Sequence, residues 1–143
     1  MIISDANILI YAYNTDAVYH DKCKKWLGEQ FSKPEPFAFC WQTITAFLRI
    51  TTTAKIFPEH FTQEEVRGFI GDWMTHQNTR ILTPGARHWT IFERLLAETK
   101  IVGAKTMDAH LSALAIEHGV VLATADRDFS IFKGLKTFNP IDL

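Results

Sequence analysis

The sequence predicts an α/β fold whose parallel sheet is covered on both faces. Short apolar runs alternate with helical segments, and polar residues do not interrupt the first three runs, as expected of strands buried on both sides. Parallel pairing needs crossover connections, which the helical segments supply.

Ile2 and Ile3 start the first strand, which ends at Asp5. Phe37 to Cys40 and Val120 to Ala123 are two more candidate strands bounded by turn residues, and Leu135 to Phe138 is a fourth. Between them, Cys23, Trp26, Leu27 and Phe31 make an apolar stripe at helical spacing, and Ile44, Phe47 and Leu48 make another. Val66, Phe69, Ile70, Trp73 and Met74 recur at i, i+3, i+4, i+7 and i+8 behind Thr62 and Glu65, which have capping-box spacing. Trp89, Phe92, Leu95 and Leu96 give a fourth stripe. Leu111, Leu114 and Ala115 give a fifth, in a helix running to His118 and closed by Gly119. Of the eleven phenylalanines, four tryptophans and three tyrosines, seven sit on these helical stripes and read as core.

A length of 143 residues, 47% hydrophobic and 22% charged, predicts a single domain over 1–143 with a sizeable core rather than a disordered or fibrous chain. The longest uncharged stretch, Pro36 to Leu48, is too short and too polar to cross a bilayer. The amino terminus lacks a basic region ahead of its apolar run, which predicts a cytoplasmic chain. Cys23 and Cys40 show no CxxC spacing and are expected to be reduced, buried thiols. A formal net charge of −1 excludes a protein that grips nucleic acid by bulk charge, so any polyanion must be held locally.

Four acids carry the chemistry. Asp5 follows the first strand and Asp126 follows the Val120 to Ala123 run, so both project from the carboxyl edge of the sheet, where open α/β sheets bind ligands. Asp128 joins the same side if the chain stays extended beyond Asp126. Asp108 opens the helix to His118, where the helix dipole favours negative charge by roughly 0.3 to 1 kcal/mol. Taken singly, each has an ordinary use: Asp5 or Asn7 as a helix cap, Asp108 as a first-turn acid, Asp126 and Asp128 in an Asx turn. Taken together, they repel and raise one another's pKa unless a cation lies between them.

Oxygen-only ligation suits Mg²⁺ or Mn²⁺, not zinc. His110 lies about 200° round the helix from Asp108 and reads as a polar-face residue. His20, His60, His76, His88 and His118 form no HxxxH or HExxH pattern. Carboxylates holding Mg²⁺ against a phosphate describe hydrolytic phosphodiester cleavage. No GxGxxG, GxxxxGK[ST] or GxSxG motif supports a nucleotide-cofactor or serine-hydrolase reading.

The opening IISDANILIYAYN, the middle WQTITAFLRITTTAKIF, the block DAHLSALAIEHGVVLATADRDFSIF and a terminal FNP occur in that order. They resemble the PIN-domain ribonucleases, and among them the VapC-type toxins of VapBC toxin-antitoxin modules, over nearly the whole chain. The resemblance implies a three-layer α/β/α domain with a mostly parallel sheet. It implies a Mg²⁺- or Mn²⁺-dependent endoribonuclease that acts as a toxin, with Asp5, Asp108 and Asp126 as catalytic, metal-binding acids and Asp128 as an accessory ligand. Asn7 and Thr124 would orient ligands or metal-held water. The implied partners are an RNA substrate, a second copy of the chain in a homodimer, and an antitoxin that folds onto an apolar groove and directs a side chain, often Arg, at the acids. Arg49, Lys55, Arg87, Lys105 and Arg127 are candidates to touch RNA phosphates.

One departure stands out. Many family members carry a further acid at the position of Ala46, yet no Asp or Glu lies between Pro36 and Phe57. That absence motivates a rival reading, a catalytically inactive RNA-binding or antitoxin-binding module. A third, an aspartyl-phosphate phosphatase or phosphoacceptor receiver, fails because the chain has Asn7 where the phosphatase needs a second Asp and lacks the receiver's paired acids.

Overall fold

Ile2–Ser4 (β1) forms the centre of a five-stranded sheet in a computed structural model that describes residues 1–142. Its neighbours are Phe37–Phe39 (β2) and Val121–Ala123 (β4), with Thr79–Ile81 (β3) and Thr137–Phe138 (β5) at the edges. The order is β3-β2-β1-β4-β5, and every pairing is parallel. Ile3 sits in register with both Ala38 and Leu122.

Six α-helices make the crossovers: Ala6–Tyr13 (α1), His20–Ser32 (α2), Trp41–Thr51 (α3), Gln63–Thr75 (α4), His88–Thr99 (α5) and Thr106–His118 (α6). The strand period of two divides the core between them. Phe37 and Phe39 face one side, where they pack with Trp26, Phe47 and Trp73 from α2, α3 and α4. Ile3, Ala38 and Leu122 face the other, against Leu95 of α5 and Leu111 and Leu114 of α6. The result is the expected three-layer α/β/α arrangement. α6 has no single apolar stripe because Ala109 and all of Leu111 to Ala115 are buried, between sheet and α5.

Local signals hold where the chemistry is strong. Thr62 and Glu65 exchange both capping-box bonds, at 3.1 and 3.0 Å, and Gly119 ends α6 with φ +65°. Both cysteines are buried and free. Cys40 caps α3 instead of ending β2, and β5 is shorter than the expected Leu135 to Phe138 run. β3 was not legible in the sequence: exposed Arg80 breaks its apolar run, as an edge strand with one wet face allows. Two stripe residues point outward, Trp89 at 61% and Met74 at 37% exposure. Among the described residues no helix is long and apolar enough to cross a membrane.

Candidate active site

The sheet order reverses direction between β1 and β4, which makes their carboxyl ends the switch point of this fold. Asp5 leaves β1 there as the N-cap position of α1, and its side chain makes no capping bond. Asp126 follows β4 by three residues, and Asp108 lies in the first turn of α6. These three acids line one cleft of about 570 Å³, with α3 as the facing wall. Acids more than a hundred positions apart in the chain therefore meet, as the switch-point argument predicts.

Thr124, buried at the end of β4, ties two of them together. Its hydroxyl donates to Asp5 Oδ2 at 2.8 Å and accepts from the Asp126 backbone amide at 3.1 Å. It thereby fixes one carboxylate and the backbone beneath the other. Asn7 lines the cleft with its side chain exposed.

The electrostatics are those of a charge cluster short of cations. Burial pushes the Asp5 carboxyl up from 3.8 to about 6; the Thr124 hydroxyl and the Ala6 amide oppose the rise, and Asp108 and Asp126 add to it. Asp108 is also raised, first by burial and then by Asp126, with Lys105 pulling the other way.

Asp128 does not join them. The chain turns into a 3-10 helix over Arg127–Ile131 instead of staying extended, and Asp126 Oδ1 accepts from the Asp128 amide at 2.8 Å. This is the Asx turn, and it sends the Asp128 carboxylate to Lys105 Nζ at 2.6 Å, outside the cleft lining. Lys105 is thus already paired, and Arg87 is anchored to the Glu117 carbonyl at 2.7 Å, which removes both from the set of free phosphate contacts. His110 is not an open polar-face residue: it is half-buried, with its ring 2.9 Å from His88 Nε2, because α5 covers that side of α6.

Residues of α3 complete the wall, Trp41, Gln42 and Arg49 among them. Gln42 donates its amide to the Met107 carbonyl at 3.0 Å, and that acceptor fixes the amide's orientation. Its Oε1 is left enclosed and without a partner. Gln42 precedes Ala46 by one helical turn, so it lies on the face where the family's further acid is missing. Neither Gln42 nor Trp41 was singled out from sequence; i, i+4 spacing from Ala46 is the signal that finds Gln42. Arg49, a predicted contact, lines the same wall.

Asp5, Asp108, Asp126 and the unsatisfied Gln42 oxygen are hard oxygen donors, the chemistry a Mg²⁺- or Mn²⁺-type ion accepts. Among the described residues no three Asp, Glu, His or Cys side chains stand close enough to grip one ion directly. The set therefore fits a hard ion that keeps most of its waters and touches one or two carboxylates, Mg²⁺'s usual habit. A larger hollow of about 660 Å³ lies at the opposite, amino end of the strands, but only Glu35 and Lys33 bring charge to it. Size does not mark the site; converging acids do.

Comparison with known proteins bears on the family and the fold. The PIN domain profile matches residues 2–135. Ribonuclease VapC37 of Mycobacterium tuberculosis is 33% identical over 140 residues, covering 98% of this chain and 97% of the relative. Ribonuclease VapC43 of the same organism is 28% identical over 142 residues, covering 99% and 97%. Among solved structures, the chain is similar to VapBC2 from Rickettsia felis bound to a promoter DNA fragment, at TM-score 0.71 and 17% identity over 97% of this chain and 98% of that one. It is also similar to M. tuberculosis VapC20, a sarcin-ricin loop cleaving toxin, at TM-score 0.65 and 14% identity over 91% and 93%.

Proposed function

The chain belongs to the PIN domain family, with VapC ribonucleases among its relatives, and from that premise we propose that it is a metal-dependent endoribonuclease acting as the toxin of a toxin-antitoxin pair. One observation carries the reading: Asp5, Asp108 and Asp126 converge on a single cleft at the sheet's switch point, and the nearest lysine is committed to Asp128.

Asp5, Asp108 and Asp126 would hold a Mg²⁺ or Mn²⁺, which would acidify a water and offset charge on the scissile phosphate. The chain supplies the frame. Thr124 holds Asp5 in one orientation and the Asp126 backbone in register with it, so both carboxylates are set before substrate arrives. Asp108 adds charge from the first turn of α6, where the macrodipole supports it. The enclosed Gln42 oxygen offers an acceptor where the family's further acid is missing. Arg49 on the opposite wall is free to meet a phosphate. Asp128 acts one step removed, by engaging Lys105 and keeping that ammonium from pairing fully with Asp108.

The antitoxin proposal follows the solved VapBC complexes the chain is similar to; an arginine directed at the acids and a homodimer follow from the resemblance in sequence alone. The rival reading, a binding module without catalysis, draws on Ala46 and on the absence, among the described residues, of a directly gripping acid triad. One experiment decides between them. Total RNA is incubated with purified protein in Mg²⁺, in Mn²⁺ and in chelator, beside an Asp5→Asn variant. Discrete cleaved ends that need both the metal and Asp5 support the enzyme; RNA binding without cleavage in every arm supports the rival.

A further inference from the structure

We propose that Trp41 is the stacking platform for an unpaired base next to the scissile phosphate. The inference rests on the ribonuclease reading and deepens it. Trp41 opens α3 immediately after β2 and is 56% exposed, while Trp26 and Trp73 are 3% and 0% exposed. Its indole makes no ring contact among the described residues, unlike the other exposed tryptophan, Trp89, which packs edge-on to Phe92 away from the acids. Nothing in the folded chain uses this indole, yet it forms part of the acid cleft.

Its neighbours on the wall identify the ligand. Trp41, Thr45 and Arg49 fall at i, i+4 and i+8 of α3, all exposed, along about 12 Å of helix. The Arg49 guanidinium has no hydrogen bond or ion pair among the described residues, although carboxylates share its cleft. A flat aromatic face, a hydroxyl and an unpaired guanidinium in one row match a base, a sugar and a phosphate of one strand. A docking groove for an amphipathic helix would continue the apolar surface of Trp41 where Thr45 and Arg49 stand. Stacking reads the π-face common to all bases and requires the base to be unpaired.

The test uses Trp89→Phe protein, in which Trp41 is the one strongly exposed indole among the described tryptophans. It is titrated in Ca²⁺ with a short unstructured RNA and with the same strand in a perfect duplex, and the RNA is checked for integrity on a gel. Trp41 emission is expected to quench with the single strand and much less with the duplex. Trp41→Ala should weaken single-strand binding by about 5- to 150-fold, the range for one stacked base, while Trp41→Phe keeps most of it. Both variants should melt with the parent, since the side chain supports no core. RNA affinity and quenching indifferent to Trp41 overturn the assignment while leaving the ribonuclease reading intact. So does Trp41→Ala protein that binds RNA normally but no longer binds an arginine-bearing amphipathic peptide. A parent that binds no RNA overturns both.

Discussion

The two ends of α6 hold their acids in opposite states. At the carboxyl end, Glu117 is folded inward, its side chain 7% exposed, and accepts from the Gly85 and Arg87 amides at 2.8 and 3.0 Å. Those amides, Gly85's first, hold its carboxyl below the usual carboxylate range. A Cβ at Gly85 would come within 2.7 Å of the Glu117 carboxylate and would have to push that side chain aside. At the amino end, Asp108 is raised, by burial and by the company of Asp126. One acid has been given its donors by the fold; the other has been given more acids. The lesson is that burial alone does not mark a functional carboxylate, whereas burial beside other acids does.

Substitutions sharpen that contrast, the largest effect first. Asp5→Asn, Asp108→Asn and Asp126→Asn should each lower metal-dependent RNA cleavage by about a hundredfold or more, the scale of a lost transition-state contact, as measured by initial rates. Folding should survive in all three, checked by circular dichroism. Thr124→Val removes the hydroxyl that orients Asp5 and should weaken Mn²⁺ affinity by about 10- to 100-fold in calorimetry.

Glu117→Ala is the mirror image. It strips two loop amides of their acceptor and should lower the melting temperature while leaving Mn²⁺ affinity unchanged. A loss of Mn²⁺ affinity in this variant would erase the distinction between the two ends of the helix.

The pH dependence has a defined sign. The folded pKa of Asp5 lies above the unfolded one, so this group favours the native state below about pH 4 and loses that contribution as pH rises through about 6. At neutral pH the metal-free protein should be destabilised through Asp5 by at most about 3 kcal/mol. Asp5→Asn should therefore raise the metal-free melting temperature at pH 7.5 and leave it nearly unchanged at pH 4. The smallest effect is expected from Asp128→Asn, which breaks an exposed ion pair worth about 0 to 1 kcal/mol and should leave cleavage within about threefold.

Strand ends told more about this protein than helix faces did. Asp5 and Asp126 were legible because a parallel sheet fixes where residues after a strand must emerge, whatever the intervening chain does. Asp128 was misplaced because a two-residue step keeps its side only in extended backbone, and the Asp126 side chain instead captures the next turn. Trp41 and Gln42 were hidden for a different reason. Periodicity identifies an apolar face but not which residues lie outside it beside a cleft, a property of how α3 sits against α6. Likewise the His88–His110 contact depends on α5 crossing α6, which no spacing within α6 encodes.

The central claim is that the chain gathers the cleft acids without neutralising them and leaves that task to a hard divalent ion. Calorimetric titration of Mn²⁺ at pH 6 into the parent, Asp108→Asn and Asp128→Asn proteins tests it most directly, because Asp5 is then partly protonated. The expected result is saturable binding with proton release in the parent and in Asp128→Asn, abolished or strongly weakened in Asp108→Asn. Absence of Mn²⁺ binding to the parent, or equal binding by all three, would contradict the claim.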